Sequence, residues 1–248
     1  MGTINRNALC PCGSGKKYKK CCMGSSATVA PAALTPDVQD WGKPSQGRDQ
    51  DNELDRFIIQ GYDQLDKQDH KAACVAWSRV WDLFLLQLSP KMISCNQTLP
   101  VYDGSFHLSN WLQDYCAALH NAALEDSAIA QTGASFCSQV LLQFPQEEDL
   151  LGENFRASLG EFHYLAGNPA EGEKVLKELI ADLPHRSVGY AYLADMLGEA
   201  RFNVGKDEPI DLDRAIALLE QGLAHPVEDA EDYDLKRRLG WFKEASEA

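Results

Sequence analysis

No run of apolar residues in the 248-residue chain approaches the ~18 that a membrane-spanning helix requires. The first residues also lack the apolar stretch of a secretory signal. We therefore expect a cytoplasmic protein without membrane insertion, in which cysteine thiols stay reduced. The 44% hydrophobic and 24% charged residues are typical of a globular protein with a real core.

Recognisable catalytic motifs are also missing. The six histidines are scattered, and none forms an H-E-x-x-H motif or a close acid pair. The run Gly-Ser-Gly-Lys at residues 13–16 departs from a phosphate-binding loop, which needs glycine where Cys10 stands and serine or threonine where Lys17 stands. The sequence therefore predicts a protein that is not an enzyme.

Acidic residues are absent from residues 1–24, which contain one arginine and four lysines and carry a formal charge of +5. The whole chain carries −14, which leaves −19 for the other 224 residues. This asymmetry predicts two parts with different partners, and it predicts an acidic surface as the partner of the basic end. The acidic bulk disfavours general nucleic-acid binding.

Residues 25–50 mix Ser, Ala, Pro and Gly without a sustained hydrophobic period, which is typical of a flexible linker. They separate a small N-terminal unit, residues 1–24, from residues 51–248, where apolar residues recur at helical spacing and no strand pattern occurs. The pattern predicts an all-α domain, with Asp69 as a helix N-cap. Helices are expected around residues 54–65, 74–88, 108–124, 128–144, 150–165, 170–183, 188–202, 213–223 and 230–245.

An internal repeat relates some of these helices. Gly160 and Gly172 stand where two helices would approach closely, and Pro184 would end the second helix. A similar large-then-small pair ends at Ala194, 34 residues after Gly160. These offsets resemble the tetratricopeptide repeat, which implies a helix-hairpin solenoid whose last helix, 230–245, caps the core.

The same resemblance implies a concave groove lined by one helix of each repeat. The groove would be acidic and partly apolar, and it lacks the lysine and asparagine set that binds a C-terminal carboxylate in some family members. We therefore expect a basic or amphipathic peptide as ligand, while a merely solvated face is the alternative. The groove positions are Asn154, Ala157, Glu161, Tyr164, Leu165, Val188, Ala191, Asp195, Gly198 and Glu199, and of these Asn154, Glu161, Tyr164, Asp195 and Glu199 are the candidate partner-binding residues.

Four of the eight cysteines lie in one short stretch, CPCGSGKKYKKCC, at residues 10–22. C-x-C-x8-C-C spacing is typical of a metal site where disulfides are not expected, and Zn²⁺ takes four sulfur ligands tetrahedrally. Gly13 and Gly15 permit a tight turn between the two pairs, and the lysines would offset the negative charge of the thiolates. A disulfide-bonded arm and a merely basic tail are the alternatives, although the tail leaves the cysteines unexplained.

This stretch resembles the SEC-C motif, the small metal-binding hairpin found at the C-terminus of the preprotein translocase motor SecA and in many other bacterial proteins. The resemblance covers about residues 4–24 and implies that Cys10, Cys12, Cys21 and Cys22 bind the metal. Cys22 stands where SecA-type members often have histidine. The implied metal is zinc, although thiolate softness does not exclude iron. Four protein ligands leave no open coordination position, so the metal would organise a surface rather than catalyse a reaction.

In SecA the motif docks on the export chaperone SecB and on the ribosome, so the resemblance implies a protein-interaction or ribosome-contact role. The expected contact residues are Lys16, Lys17, Tyr18, Lys19 and Lys20, which would face an acidic chaperone or ribosomal RNA phosphate. We therefore expect an adaptor that docks through this hairpin and binds a second protein through its helices. A nucleic-acid-binding zinc knuckle is an alternative, which the single aromatic residue disfavours. An iron-handling protein is another.

The other four cysteines, Cys74, Cys95, Cys116 and Cys137, recur every 21 residues. Cys74 shares an apolar helical stripe with two tryptophans, and buried free cysteine commonly acts as a small hydrophobic residue. We therefore expect buried thiols and treat the regular spacing as coincidence.

Overall fold

The computed structural model describes residues 53–146, 150–199, 210–225 and 229–247. Within these ranges all regular structure is helical and there is no strand, which confirms the predicted all-α class. None of these helices is long and apolar enough to cross a membrane. The helices are α1 (Glu53–Leu65), α2 (His70–Leu85), a short 3-10 helix (Cys95–Thr98), α3 (Leu108–Glu125), α4 (Ala128–Gln143), α5 (Leu150–Leu165), α6 (Pro169–Asp182), α7 (Ser187–Gly198), α8 (Leu212–Ala224) and α9 (Leu235–Ser246).

Local sequence signals explain where several helices begin. Asp69 caps α2, since its Oδ1 accepts a hydrogen bond of 2.9 Å from the Ala72 backbone N–H, as predicted. Pro169 occupies the first turn of α6, where its missing N–H has no helical partner to lose. The turn before α6 contains Gly167 with φ of +82°, a conformation that favours glycine.

Two predicted helix bounds were wrong. Helix α7 ends at Gly198 rather than near residue 202, because Glu199 is extended and the Asp211 N–H donates to the Leu197 carbonyl at 2.8 Å. Helix α9 begins at Leu235 rather than near residue 230, because residues 229–234 form turns. Asp234, at the end of those turns, has a left-handed backbone with φ of 51°.

Each helix packs against the next along the chain, and α3, α5, α7 and α9 also contact one another in that order. These four helices therefore form a layer, and α4, α6 and α8 each pack against two successive members of it. The core between the helices is rich in aromatic rings near the N-terminal end, where Trp77 lies edge-on to Trp111 and Tyr115.

Helices α5 and α6 approach closely at two glycines. A Cβ atom at Gly172 would lie 2.4 Å from the Tyr164 ring and 2.6 Å from the Gly160 carbonyl oxygen. A Cβ atom at Gly160 would lie 2.6 Å from Leu176. Only residues without a side chain fit here, as the sequence pattern predicted for these two positions.

Candidate protein-interaction face

The predicted metal ligands Cys10, Cys12, Cys21 and Cys22 lie outside the described residues, and so do Lys16, Lys17, Tyr18, Lys19 and Lys20. Across the residues that the structure describes, no group of three or more His, Cys, Asp or Glu side chains could hold a metal ion. Other features of the helical domain therefore define its candidate site.

A row of polar side chains crosses the α3, α5, α7 and α9 layer. We call this row the polar seam. Asn154 and Glu161 are seven residues apart and so share one face of α5, and Tyr192 and Asp195 share one face of α7. The seam consists of His120, Asn154, Glu161, Tyr192, Asp195, Tyr233 and Arg238.

Three polar contacts of the seam join elements that are distant in the sequence. His120 Nε2 lies 2.9 Å from Glu161 Oε1 and joins α3 to α5. The Tyr233 hydroxyl donates to Asn154 Oδ1 at 3.4 Å, and Arg238 pairs with Asp195 between α9 and α7. The Asp195 and Glu161 side chains are only 10% and 12% exposed, so these contacts are partly shielded from water and are stronger than surface pairs.

Tyr192 lies within the electric field of both ends of the seam. Burial raises the pKa of its hydroxyl, the negative charge of Glu161 raises it further, and Arg238 opposes this shift. Tyr192 therefore remains protonated at any physiological pH. It is a neutral hydrogen-bonding group between a carboxylate and a guanidinium.

A neighbouring ion-pair network fixes the turn that leads into α9. Arg186 lies 2.9 Å from Glu153 and 3.5 Å from Asp229, and both carboxylates are buried. Asp229 Oδ1 also accepts a 2.8 Å hydrogen bond from the Ser187 N–H at the start of α7. The network thus holds together α5, the N-terminus of α7 and the segment before α9.

A further polar contact lies between α1 and α3. The Tyr62 hydroxyl donates to Asp114 Oδ2 at 2.7 Å. Although the Asp114 side chain is exposed, the surrounding protein desolvates its carboxylate and raises its pKa to about 6, against the effect of the Tyr62 hydrogen bond. Asp114 is therefore a weakly acidic carboxyl group with a tyrosine partner.

Only part of the predicted groove set lies together. Asn154, Glu161 and Asp195 belong to the seam, whereas Tyr164 is 3% exposed and packs on α6, and Glu199 caps the C-terminus of α7. Among the predicted apolar positions, four are buried core residues: Ala157, Leu165, Val188 and Ala191. The binding of a peptide to this face stays a prediction.

Sequence patterns did not indicate His120, Tyr192, Tyr233 or Arg238. The partners of His120 and Arg238 lie 41 and 43 residues away in the sequence, so the packing of the layer is needed to find them. The buried thiols, by contrast, were correctly predicted: Cys74, Cys95, Cys116 and Cys137 are free and buried.

Comparison with known proteins places a family on the N-terminal stretch. The family model of the SEC-C motif matches residues 6–24. Over 34 residues the chain is 68% identical to "Uncharacterized protein YccF" of Bacillus subtilis (strain 168), an overlap of 14% of this chain and 9% of that protein. Over 17 residues it is 94% identical to a UPF0225 protein of Serratia proteamaculans (strain 568), an overlap of 7% of this chain and 11% of that protein. The chain therefore spans about a tenth of the length of these curated relatives.

No solved structure matches the chain significantly. The described residues define the class of protein, an all-α domain with a polar seam across one helical layer. The chain carries a SEC-C motif at its N-terminus, and this motif is a module associated with metal binding.

Proposed function

We propose that the protein is a non-enzymatic, metal-binding adaptor of the cytoplasm. The SEC-C match at residues 6–24 carries this proposal. Cys10, Cys12, Cys21 and Cys22 supply an all-sulfur donor set, which suits Zn²⁺, and iron is the alternative. A metal bound by four protein ligands would order the chain around it and would leave no position for a substrate.

The lysines of the motif give this module a cationic surface. Lys16, Lys17, Lys19 and Lys20, together with Tyr18, would contact an acidic partner, either a SecB-like export chaperone, the ribosome or another translocation component. On the ribosome the contact would be made with RNA phosphates, whose strength depends on salt.

The helical domain is proposed to be a tetratricopeptide-like solenoid that binds a second protein. The contacts between alternate helices and the close approach at Gly160 and Gly172 support this architecture. Glu161, Asp195 and the nearby Asp114 make the face of this layer acidic, so a basic or amphipathic peptide is the proposed ligand.

Elemental analysis of the purified full chain tests the metal site. We expect about one zinc per chain, which the double variant Cys10→Ser, Cys12→Ser loses while its helical circular dichroism stays unchanged. Retention of the metal in the double variant would contradict the assigned ligands. Iron in place of zinc would favour the metal-handling alternative.

Pull-down with the full chain as bait tests the docking role. Reversal of Lys16, Lys17, Lys19 and Lys20 to glutamate should remove the captured chaperone or ribosome while the metal content stays constant. Sensitivity of the capture to ribonuclease separates ribosomal RNA contact from protein contact. Unchanged capture by this variant would exclude the motif as the docking element.

A further inference from the structure

Helix α4 has a solvent-exposed face without a single charged side chain. Its 16 residues, AIAQTGASFCSQVLLQ, contain no Asp, Glu, Lys, Arg or His. The exposed positions from Gln131 onwards, which we call the neutral face, are Gln131, Thr132, Ser135, Ser138, Gln139 and Leu142.

The other helices that pack against two members of the layer differ sharply in this respect. Helix α6 exposes Glu171, Lys174, Lys177 and Glu178. Helix α8 also exposes charged side chains, including Arg214. Since 24% of all residues are charged, a 16-residue helix would be expected to contain several. The lack of charge is therefore specific to α4 among these three helices.

The neutral face ends in an exposed apolar side chain. Leu142 is 83% exposed, and so is Leu86 at the end of α2. The ends of the two helices are linked, because the Gln143 side-chain amide donates to the Ser89 carbonyl at 3.1 Å. Depletion of charge together with exposed apolar side chains is the compositional mark of the centre of a protein interface.

The net charge of the chain indicates which partner fits this face. Each chain carries −14, so two copies repel each other wherever their acidic surfaces meet. The neutral face removes this repulsion locally, whereas a basic partner would gain more from the acidic surfaces elsewhere. Glutamine, serine and threonine side chains both donate and accept hydrogen bonds, so two identical faces can satisfy each other across a two-fold axis.

We propose that the neutral face is a self-association surface, on which α4 of one chain packs against α4 of a second copy. A helix of this length is about 24 Å long and about 10 Å wide, which is smaller than a standard interface. The dimer is therefore weak, with a Kd on the order of micromolar.

Sedimentation velocity of the full chain in reducing buffer, at concentrations from about 1 to 300 µM around the expected Kd, tests this proposal. The wild type should change from monomer to dimer over this range. The single variants Ser135→Glu and Leu142→Glu should weaken the association at least about tenfold, because two-fold symmetry brings the introduced charges together. Circular dichroism at 222 nm confirms that these exposed substitutions leave the fold intact.

The control is Gln221→Glu, which adds the same charge at an exposed position of α8 and should leave the Kd unchanged. A wild type that remains monomeric at the highest concentration would overturn the proposal and leave the face to a different protein. Association of the Ser135→Glu and Leu142→Glu variants at the wild-type Kd would overturn it as well, and so would a mass that rises beyond that of a dimer.

Discussion

The close approach of α5 and α6 can be tested by adding one methyl group. In Gly172→Ala the new Cβ would lie 2.4 Å from the Tyr164 ring and 2.6 Å from the Gly160 carbonyl oxygen. Tyr164 is 3% exposed and has little room to rotate away. The carbonyl belongs to the backbone of α5, so the two helices must separate to admit the methyl group.

Two opposing terms set the size of the effect. Alanine is favoured over glycine in a helix by about 1 kcal/mol, and overpacking of a tight core costs about 1 to 3 kcal/mol or more. The contact at Gly172 involves a backbone atom, so the upper part of that range applies and the net loss should be about 2 kcal/mol. Gly240 in α9 is the matched control, because nothing lies within 4 Å of its Cβ position. Gly240→Ala should therefore gain about 0.5 to 1 kcal/mol.

Urea unfolding of the full chain, followed by circular dichroism at 222 nm, measures both changes. With an m-value of about 2 to 3 kcal/mol per molar, Gly172→Ala should lower the midpoint by about 0.7 to 1 M. Gly240→Ala should raise the midpoint by a smaller amount. A Gly172→Ala protein as stable as the wild type would refute the assigned helix contact.

Two further substitutions test the electrostatics. The pKa of Asp114 is raised to about 6, so its stabilising contribution is present below about pH 4 and is lost as the pH rises to 6. Asp114→Asn, whose amide oxygen can still accept from Tyr62, should gain less than about 1 kcal/mol at pH 8 and nothing at pH 3.5, and an equal gain at both pH values would contradict the assigned shift. Arg186→Met leaves the buried Glu153 and Asp229 carboxylates without their cation and should cost about 3 kcal/mol in urea unfolding at pH 7. Additivity of Arg186→Met and Glu153→Gln in a double-mutant cycle would show that the ion pair is absent.

Hydrophobic periodicity predicted the helices well because each of them buries a continuous apolar stripe. Asp69 could be identified as a cap because capping is local in the sequence. The end of α7 and the start of α9 could not be predicted, because contacts from distant residues define them. Asp211 satisfies a carbonyl of α7, and Asp229 satisfies the N–H of Ser187.

The seam was predicted only in part for a similar reason. A 34-residue repeat relates equivalent positions on successive helices, and it placed Glu161 and Asp195 on one layer. Their partners His120 and Arg238 lie at separations of 41 and 43 residues, which the repeat does not relate. Helical spacing also does not distinguish Glu161, which joins the seam, from Tyr164, which packs on α6 one turn later.

The three surfaces differ in chemistry and would therefore select different partners. The SEC-C motif is basic, the layer that contains the seam is acidic, and the exposed face of α4 is neutral. Occupation of one surface does not remove the charge that recruits a partner to another. A dimer formed through α4 would also carry two SEC-C motifs, and a partner with two acceptor sites would bind both. The second contact would then be intramolecular, so a weak dimer would raise the avidity of docking without any change in the motif itself. In this arrangement the docking strength would increase with the concentration of the protein, and the Ser135→Glu variant would bind such a partner with the affinity of a single motif.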